Sequence, residues 1–229
     1  MSINIKRRLL LGAVMAGLLA GLGIMGIRAA MPGPVPVTYN FDHDKVGRTP
    51  VDFTSSVTGD GPPGKWVVQE MADAPSGNHV AVQVDADTTD YRFPVLIANK
   101  GEYGDVDVSV KGKSISGKID QGIGLVFRFR DHKSYYVVRA NALEDNFRLY
   151  KMVNGKRIQF AGANVKVATN QWHTLRVVAI GDHIVCYFDG KPLIDAHEKT
   201  YTKGKVGLWT KADSVIAFDD LTVSTPNNE

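Results

Sequence analysis

Arg128, Arg130, Arg139 and Arg148 fall in one short stretch, "RFRDHKSYYVVRANALEDNFRLYK", among valine, tyrosine and phenylalanine. A guanidinium group is planar and permanently charged, and its forked donors fit carboxylates and neighbouring sugar hydroxyls. Tyr150 adds a flat apolar platform of the kind a pyranose ring packs on. Side chains alternate along a strand, so the faces can be sorted. Leu125, Phe127 and Phe129 share one face, opposite Val126, Arg128 and Arg130. Tyr136, Val138 and Ala140 oppose Tyr135, Val137, Arg139 and Asn141, and Phe147 and Leu149 oppose Arg148 and Tyr150. Three successive strands each offer an apolar face and an arginine-bearing face. The arginines are therefore expected to line the open face of a sheet and to stay out of the core. Arg128, Arg130, Arg139, Asn141, Glu144, Arg148 and Tyr150 make the candidate ligand site. Glu144 and Asp145, in the loop between two of the strands, either bond a sugar or pair with Arg139 and Arg148. The plainer alternative is a solvated face with cross-strand polar pairs.

Catalytic residues are harder to place. Retaining glycoside hydrolysis needs two carboxylates about 5–5.5 Å apart. Asp219 and Asp220 are adjacent in "AFDDLTV" and point to opposite faces, so they form no such pair. His173 in "QWHTLRV" shares a face with Leu175 and Val177 and reads as a packing residue. Trp209 and Lys211 join the polar face if strand order brings them there. Asp42, Asp44, Asp219 and Asp220 are hard oxygen ligands suited to a structural calcium, should the terminal strands lie side by side. Strand ends collect aspartates anyway, so no cofactor is expected. Cys186 is the only cysteine, which excludes an internal disulfide and a cysteine metal cluster. It alternates with Ile184 and Phe188 and reads as a small buried apolar residue.

The elements that must position these residues are strands. "KWVVQE", "HVAVQVDA", "DVDVSVKGK", "GLVFRFR", "YYVVRA", "FRLYKMV", "HTLRVVAI", "HIVCYF", "KVGLWT" and "AFDDLTVS" are strand-length runs rich in β-branched and aromatic residues. Asn154-Gly155, Gly181-Asp182 and Asp189-Gly190 lie between such runs and read as tight hairpins. No stretch after residue 30 holds a helical period. Many short antiparallel strands in one domain predict an all-β, two-sheet jelly-roll sandwich. Residues 45–64, "KVGRTPVDFTSSVTGDGPPG", read as a long loop covering one sheet edge.

Three segments carry a resemblance: "GIGLVFRFRDHKSYYVVRANALEDNFRLYKMVNGKR", "WHTLRVVAIGDHIVCYFDGKPL" and "GKVGLWTKADSVIAFDDLTV". Together they resemble the concanavalin A-like, laminin G-like jelly-roll domains, and within them the bacterial 3-keto-disaccharide hydrolase group, also described as family-16 glycosidase-like. The likeness spans roughly Tyr39 to Val223. It implies a fold that hosts lectins, hydrolases and adhesion modules alike. The glutamate-aspartate-glutamate alternation of family-16 enzymes is absent here, which favours binding over hydrolysis and leaves the catalytic residues unassigned.

The N-terminus stands apart. Lys6, Arg7 and Arg8 precede an uncharged run from Leu9 to Ile27, with Ala29 and Ala30 after it. A basic start, an apolar run and a small-residue exit describe an export signal; the same run is near the length that spans a bilayer. The expected organisation is 1–30 signal peptide or membrane anchor, 31–38 proline-rich spacer, 39–224 jelly roll and 225–229 tail. Four basic residues and no acid precede residue 31, so the net +3 of the chain falls to −1 beyond it. That balance argues against nucleic acid as partner. The expected partner is a carbohydrate or related polar polymer, with membrane contact only through an uncleaved N-terminal segment. The expected place is the periplasm or outside the cell, or the inner membrane if the segment is retained. The function expected is an exported carbohydrate-binding module. The alternatives are a hydrolase or lyase acting on 3-keto-disaccharides or related glycosides, and an envelope adhesion or assembly module.

Overall fold

A computed structural model describes residues 35–226. The expected signal or anchor segment, the first half of the proline-rich spacer and residues 227–229 lie outside the described residues. Chain order begins with β1 (Val37–Tyr39), β2 (Phe53–Gly59), β3 (Trp66–Glu70), β4 (His79–Gln83) and β5 (Arg92–Ala98). There follow β6 (Val106–Ser116), β7 (Gly122–Asp131), β8 (Ser134–Asn141), β9 (Asn146–Val153) and β10 (Lys156–Asn164). Last come β11 (Trp172–Ile180), β12 (His183–Phe188), β13 (Lys191–His197), β14 (Lys205–Trp209) and β15 (Val215–Ser224). The described residues contain no helix.

The strands form the two-sheet antiparallel jelly-roll sandwich anticipated from the sequence. One eight-stranded sheet runs β13-β12-β11-β6-β15-β4-β3, with β1 paired to β15. The facing seven-stranded sheet runs β10-β9-β8-β7-β14-β5-β2. The three hairpin turns sit where expected, between β9 and β10, β11 and β12, and β12 and β13. The core lies between the sheets. Val106, Val108 and Val110 of β6, with Leu175, Val177, Ile184 and Cys186, meet Leu125, Phe127, Tyr136, Val138, Phe147 and Leu149 from across. Each of these sits two residues from the next on its own strand, the period that buries one face of a sheet.

The outer face of the seven-stranded sheet is not the open polar surface expected. Phe93, Val95, Ile97, Val126, Tyr135, Val137, Tyr150, Met152 and Trp209 form a second buried apolar cluster on it. Curvature is the reason. Thr58 of β2 and Tyr135 of β8 are separated by three strands in the sheet order, yet their hydroxyls lie 2.8 Å apart. Tyr91 Oη accepts a hydrogen bond from the Arg157 amide at 2.8 Å, tying the start of β5 to the β9–β10 hairpin. The sheet thus curls until one corner closes over its own face.

The segment 45–64 is also only half a loop. Val46 bridges Val68 and covers the β3 edge as expected, but Phe53–Gly59 is β2, the edge strand of the curled sheet.

Candidate functional site

Arg139, near the end of β8 and of the curled sheet, is almost fully buried on its outer face. One nitrogen, Nη2, lies 3.0 Å from Glu144 Oε2, 3.0 Å from Asn146 Oδ1 and 3.1 Å from Tyr150 Oη. Nη1 lies 3.7 Å from Asp120 Oδ2, and Nε has no partner. Asn141 donates to Asp120 Oδ1 at 3.1 Å and accepts from the Leu143 amide, so it holds Asp120 in place. Lys211, just past the end of β14, puts Nζ 3.3 Å from Asp120 Oδ2 and also pairs with Asp90. The buried Asp120 Oδ2 sits between two cations with no hydrogen bond of good geometry.

The loop that presents Asp120 is built for the purpose. The Asp213 carboxylate accepts from three successive amides, those of Lys118, Ile119 and Asp120, at 2.6 to 3.0 Å. Three convergent N–H groups around one carboxylate fix a loop firmly. On the facing strand, a Cβ at Gly124 would stand 2.7 Å from the Trp209 ring, so only glycine lets the indole lie flat across β7. Trp209 stacks on Phe93 at 5.3 Å, and Arg157 lies 4.8 Å from the rings of both Phe93 and Tyr150. The site is therefore a polar cluster on an aromatic bed.

Its charges balance. Asp90, Asp120 and Glu144 face Lys211, Arg139 and Arg157. Burial pushes the Asp120 carboxyl above the usual range despite the pull of Arg139 and Lys211. Burial also acts to raise Glu144, but hydrogen bonds from Asn146 and Arg139 outweigh it and hold that carboxyl below its ordinary value. The Lys211 hydrogen bond lowers Asp90. Burial opposes the charge of Arg139, yet Tyr150, Asp120 and Glu144 more than compensate and raise its pKa. The two outer carboxylates are the accessible ones, Glu144 half exposed and Asp90 74% exposed. They cap the inner cations from the solvent side, where hydroxyl groups can take their place.

The structure brings together Arg139, Asn141, Glu144 and Tyr150. It does not bring in the other three. Arg128 has a positive φ of 48° at a β-bulge, which reverses the alternation beyond it. Its side chain is buried away from Arg139 and donates to the carbonyls of Gly104, Tyr201 and Gly181 at 3.1, 3.1 and 2.8 Å. Phe129, expected in the core with Phe127, packs instead on the outer cluster. Arg130 lies roughly 20 Å along β7 from Gly124, the residue opposite Arg139. Arg148 is directly opposite Arg139 on the same face, but it leans over Gly162 to the Asn164 side chain at the sheet edge.

Sequence reasoning missed Asp120, Asn146, Asp90 and Arg157. Lys211 and Trp209 were conditional on strand order, and β14 beside β7 meets the condition. Of the residues set aside, His173 is a packing residue, stacked on Phe188 and bonded to Asp189 at 2.8 Å. Asp145 pairs with Lys166 at 2.8 Å, away from the site. The four aspartates weighed for calcium bind protein groups. Asp42 accepts from the Asn78 and His79 amides, Asp44 from the Val51 amide, Asp219 from the Ser76 amide, and Asp220 from the Ser76 hydroxyl and Lys111. β1 does lie against β15, but among the described residues no group of three or more His, Cys, Asp or Glu is placed to hold a metal ion.

A family model described as a 3-keto-alpha-glucoside-1,2-lyase-like domain matches residues 58–224, which include all of this site. The chain belongs to that family. A levanase of Bacillus subtilis (strain 168) is 30% identical over 101 residues, 43% of this chain and 14% of the levanase. The chain thus spans about a seventh of the length of that relative. Among solved structures, the carbohydrate binding module CBM66 from Bacillus subtilis is 20% identical with a TM-score of 0.62, covering 76% of this chain and 95% of that one. The cellulose induced protein Cip1 is 11% identical with a TM-score of 0.60, covering 83% and 97%. Domain 4 of AbnA, an extracellular arabinanase from Geobacillus stearothermophilus in complex with arabinotriose, is 14% identical with a TM-score of 0.52, covering 82% and 90%. At these identities the likeness is one of fold. The 3-keto-alpha-glucoside-1,2-lyase-like sandwich is thus shared with modules whose attached chemistry differs.

Proposed function

We propose that this 3-keto-alpha-glucoside-1,2-lyase-like domain is an exported carbohydrate-binding module that takes a neutral saccharide at the Arg139 cluster. The observation that carries this reading is the balance of three acids and three bases at the end of an aromatic-bedded sheet. Alternating donors and acceptors suit a polyol, whereas an anion or cation would upset the balance. The names of CBM66 and of the arabinotriose-bound AbnA domain support the ligand class. The export segment and the boundaries 1–30, 31–38 and 39–224 belong to the same proposal. A glycan array probed with the full-length chain, followed by calorimetry on the hits, tests it. Binding of a neutral saccharide that weakens by at least about tenfold in Arg139→Gln is expected; an array without neutral hits removes the reading.

A second reading, a lyase or hydrolase acting on a 3-keto-disaccharide, rests on the family description and on one feature of the site. Asp120 and Glu144 flank Arg139, and their surroundings drive the two carboxyl pKa values apart, as in acid–base pairs. Against it, the open oxygen of Asp120 is sealed beneath Lys211 and Arg139. Glucose released from a 3-keto-disaccharide, and lost in Asp120→Asn, would replace the first reading with the second.

A further inference from the structure

At the other end of the curled sheet two hollows of about 350 and 340 Å³ adjoin, sharing Glu102, Phe129 and Arg130 as their common wall. Each is within the size range of small-ligand sites. The wall is a consequence of the β7 bulge. Arg128, held in the left-handed region, sends its own side chain inward and turns Phe129 onto the outer face, with Arg130 next to it on the wall that the two hollows share. Its guanidinium then fastens the carbonyls of Gly104 and Tyr201, next to the loops that form the sides. A Cβ at Gly204 would come within 2.5 Å of the β7 backbone, so glycine there lets the two chains close on each other. A strained bulge that re-aims side chains into a hollow is a recurrent feature of binding sites.

The chemistry of these hollows differs from that of the Arg139 cluster. Three cations, Arg130, Lys203 and Lys205, face two acids, Glu102 and Asp131. Lys203 lies 3.6 Å from Glu102, Asp131 accepts from the Lys133 amide, and Lys205 reaches only the Asn99 carbonyl. Among the described residues Arg130 has neither a hydrogen bond nor an ion pair, so a fork of donors stands free between the hollows. Thr54, Ser56, Thr200 and Thr202 add hydroxyls, and the half-buried Phe129 ring gives an apolar patch. We infer that this double hollow is a second saccharide site, selective for sugars bearing an anionic group, which Arg130 clasps between them. The ligand class is an acidic oligosaccharide, its charge a carboxylate or a sulfate ester.

The site does not depend on the reading of the Arg139 cluster, and the experiment keeps them apart. Calorimetry with the full-length chain at low salt compares trigalacturonate, a sulfated carrageenan tetrasaccharide and neutral 1,4-linked galactotriose. At least one acidic sugar is expected to bind more tightly than galactotriose, and which of the two does so identifies the anionic group. Arg130→Ala is expected to weaken that binding at least about tenfold, with Lys205→Ala following in the same direction. Arg139→Gln is expected to leave it unchanged. The inference is overturned if neither acidic sugar binds better than galactotriose, or if the preference survives Arg130→Ala. It also falls if the preference is lost in Arg139→Gln protein that circular dichroism shows to be folded under the same conditions.

Discussion

Arg128 and Arg139 are both buried cations, but one is satisfied by neutral carbonyls and the other by carboxylates. The difference sets what each substitution does. Arg128→Met strands three loop carbonyls and is expected to lower stability by about 3 kcal/mol without altering neutral-sugar binding at the far end of the sheet. Chemical denaturation beside calorimetry checks both halves, and a wild-type denaturation midpoint would contradict the pinning role. Arg139→Gln leaves Asp120 buried and charged next to Lys211 alone, and a loss of roughly 3–5 kcal/mol at neutral pH is expected. Adding Asp120→Asn should restore part of it, which a double-mutant cycle reads directly. Additive losses would mean that the two groups are not coupled. Strand alternation made Arg139, Asn141 and Tyr150 legible as one face, and Glu144 followed from its place in the joining loop. Arg128 was misplaced because a non-glycine residue with positive φ leaves no mark in the sequence pattern. Asp120 and Asp90 come from loops far away in the chain, and only strand order carries them to Arg139.

Most strands were readable, from a two-residue period or, as in β8, from a run of β-branched and aromatic residues, and a few were not. β5 is "RFPVLIA", buried on both faces because the sheet curls over it, so it shows no alternation. β10 and β13 are mostly exposed edge strands and show too little contrast between their faces to stand out. β15 carries a bulge at Asp220, where φ is 49°, and this bulge governs a pH response. Burial pushes the neighbouring Asp219 up to about 6, although hydrogen bonds from Ser76 and Asp220 pull the other way. A folded pKa above the unfolded value of 3.8 means that the folded state favours the protonated form. The stability this gives is present below pH 3.8 and is lost as pH rises to about 6. Asp219→Asn fixes the neutral form. The Tm of the variant minus that of the wild type is therefore expected to climb across that window and then level. Glu144 and Glu198 are held low, Glu198 at about 2 against burial by Lys151 and Thr200, and their opposite acid response cancels in the difference. A flat difference curve would show that Asp219 does not titrate there.

For the molecule as a whole, the sandwich and its inner core could be read from alternation and turn chemistry, while the curl of one sheet could not. Curvature depends on twist summed over seven strands, which no local pattern records. The expected cellular behaviour follows from the leader and the site together. Fractionation of cells making the full chain should find it in the periplasm, the medium or the inner membrane; soluble, uncleaved protein confined to the cytoplasm would contradict export. Laminarin should not be hydrolysed, since one of the two carboxylates near Arg139 is closed off from any glycosidic oxygen. Release of reducing sugar from laminarin would refute that expectation. The sandwich also encloses the chain's single thiol. Cys186 sits fully buried between the sheets, and burial raises its pKa, so the nucleophilic thiolate is suppressed as long as the sheets stay together. In an oxidising compartment such a protein has no way to form mixed disulfides except by opening. The rate at which a thiol reagent labels Cys186 is then a clock for separation of the two sheets, one that needs no added probe and ticks once per molecule.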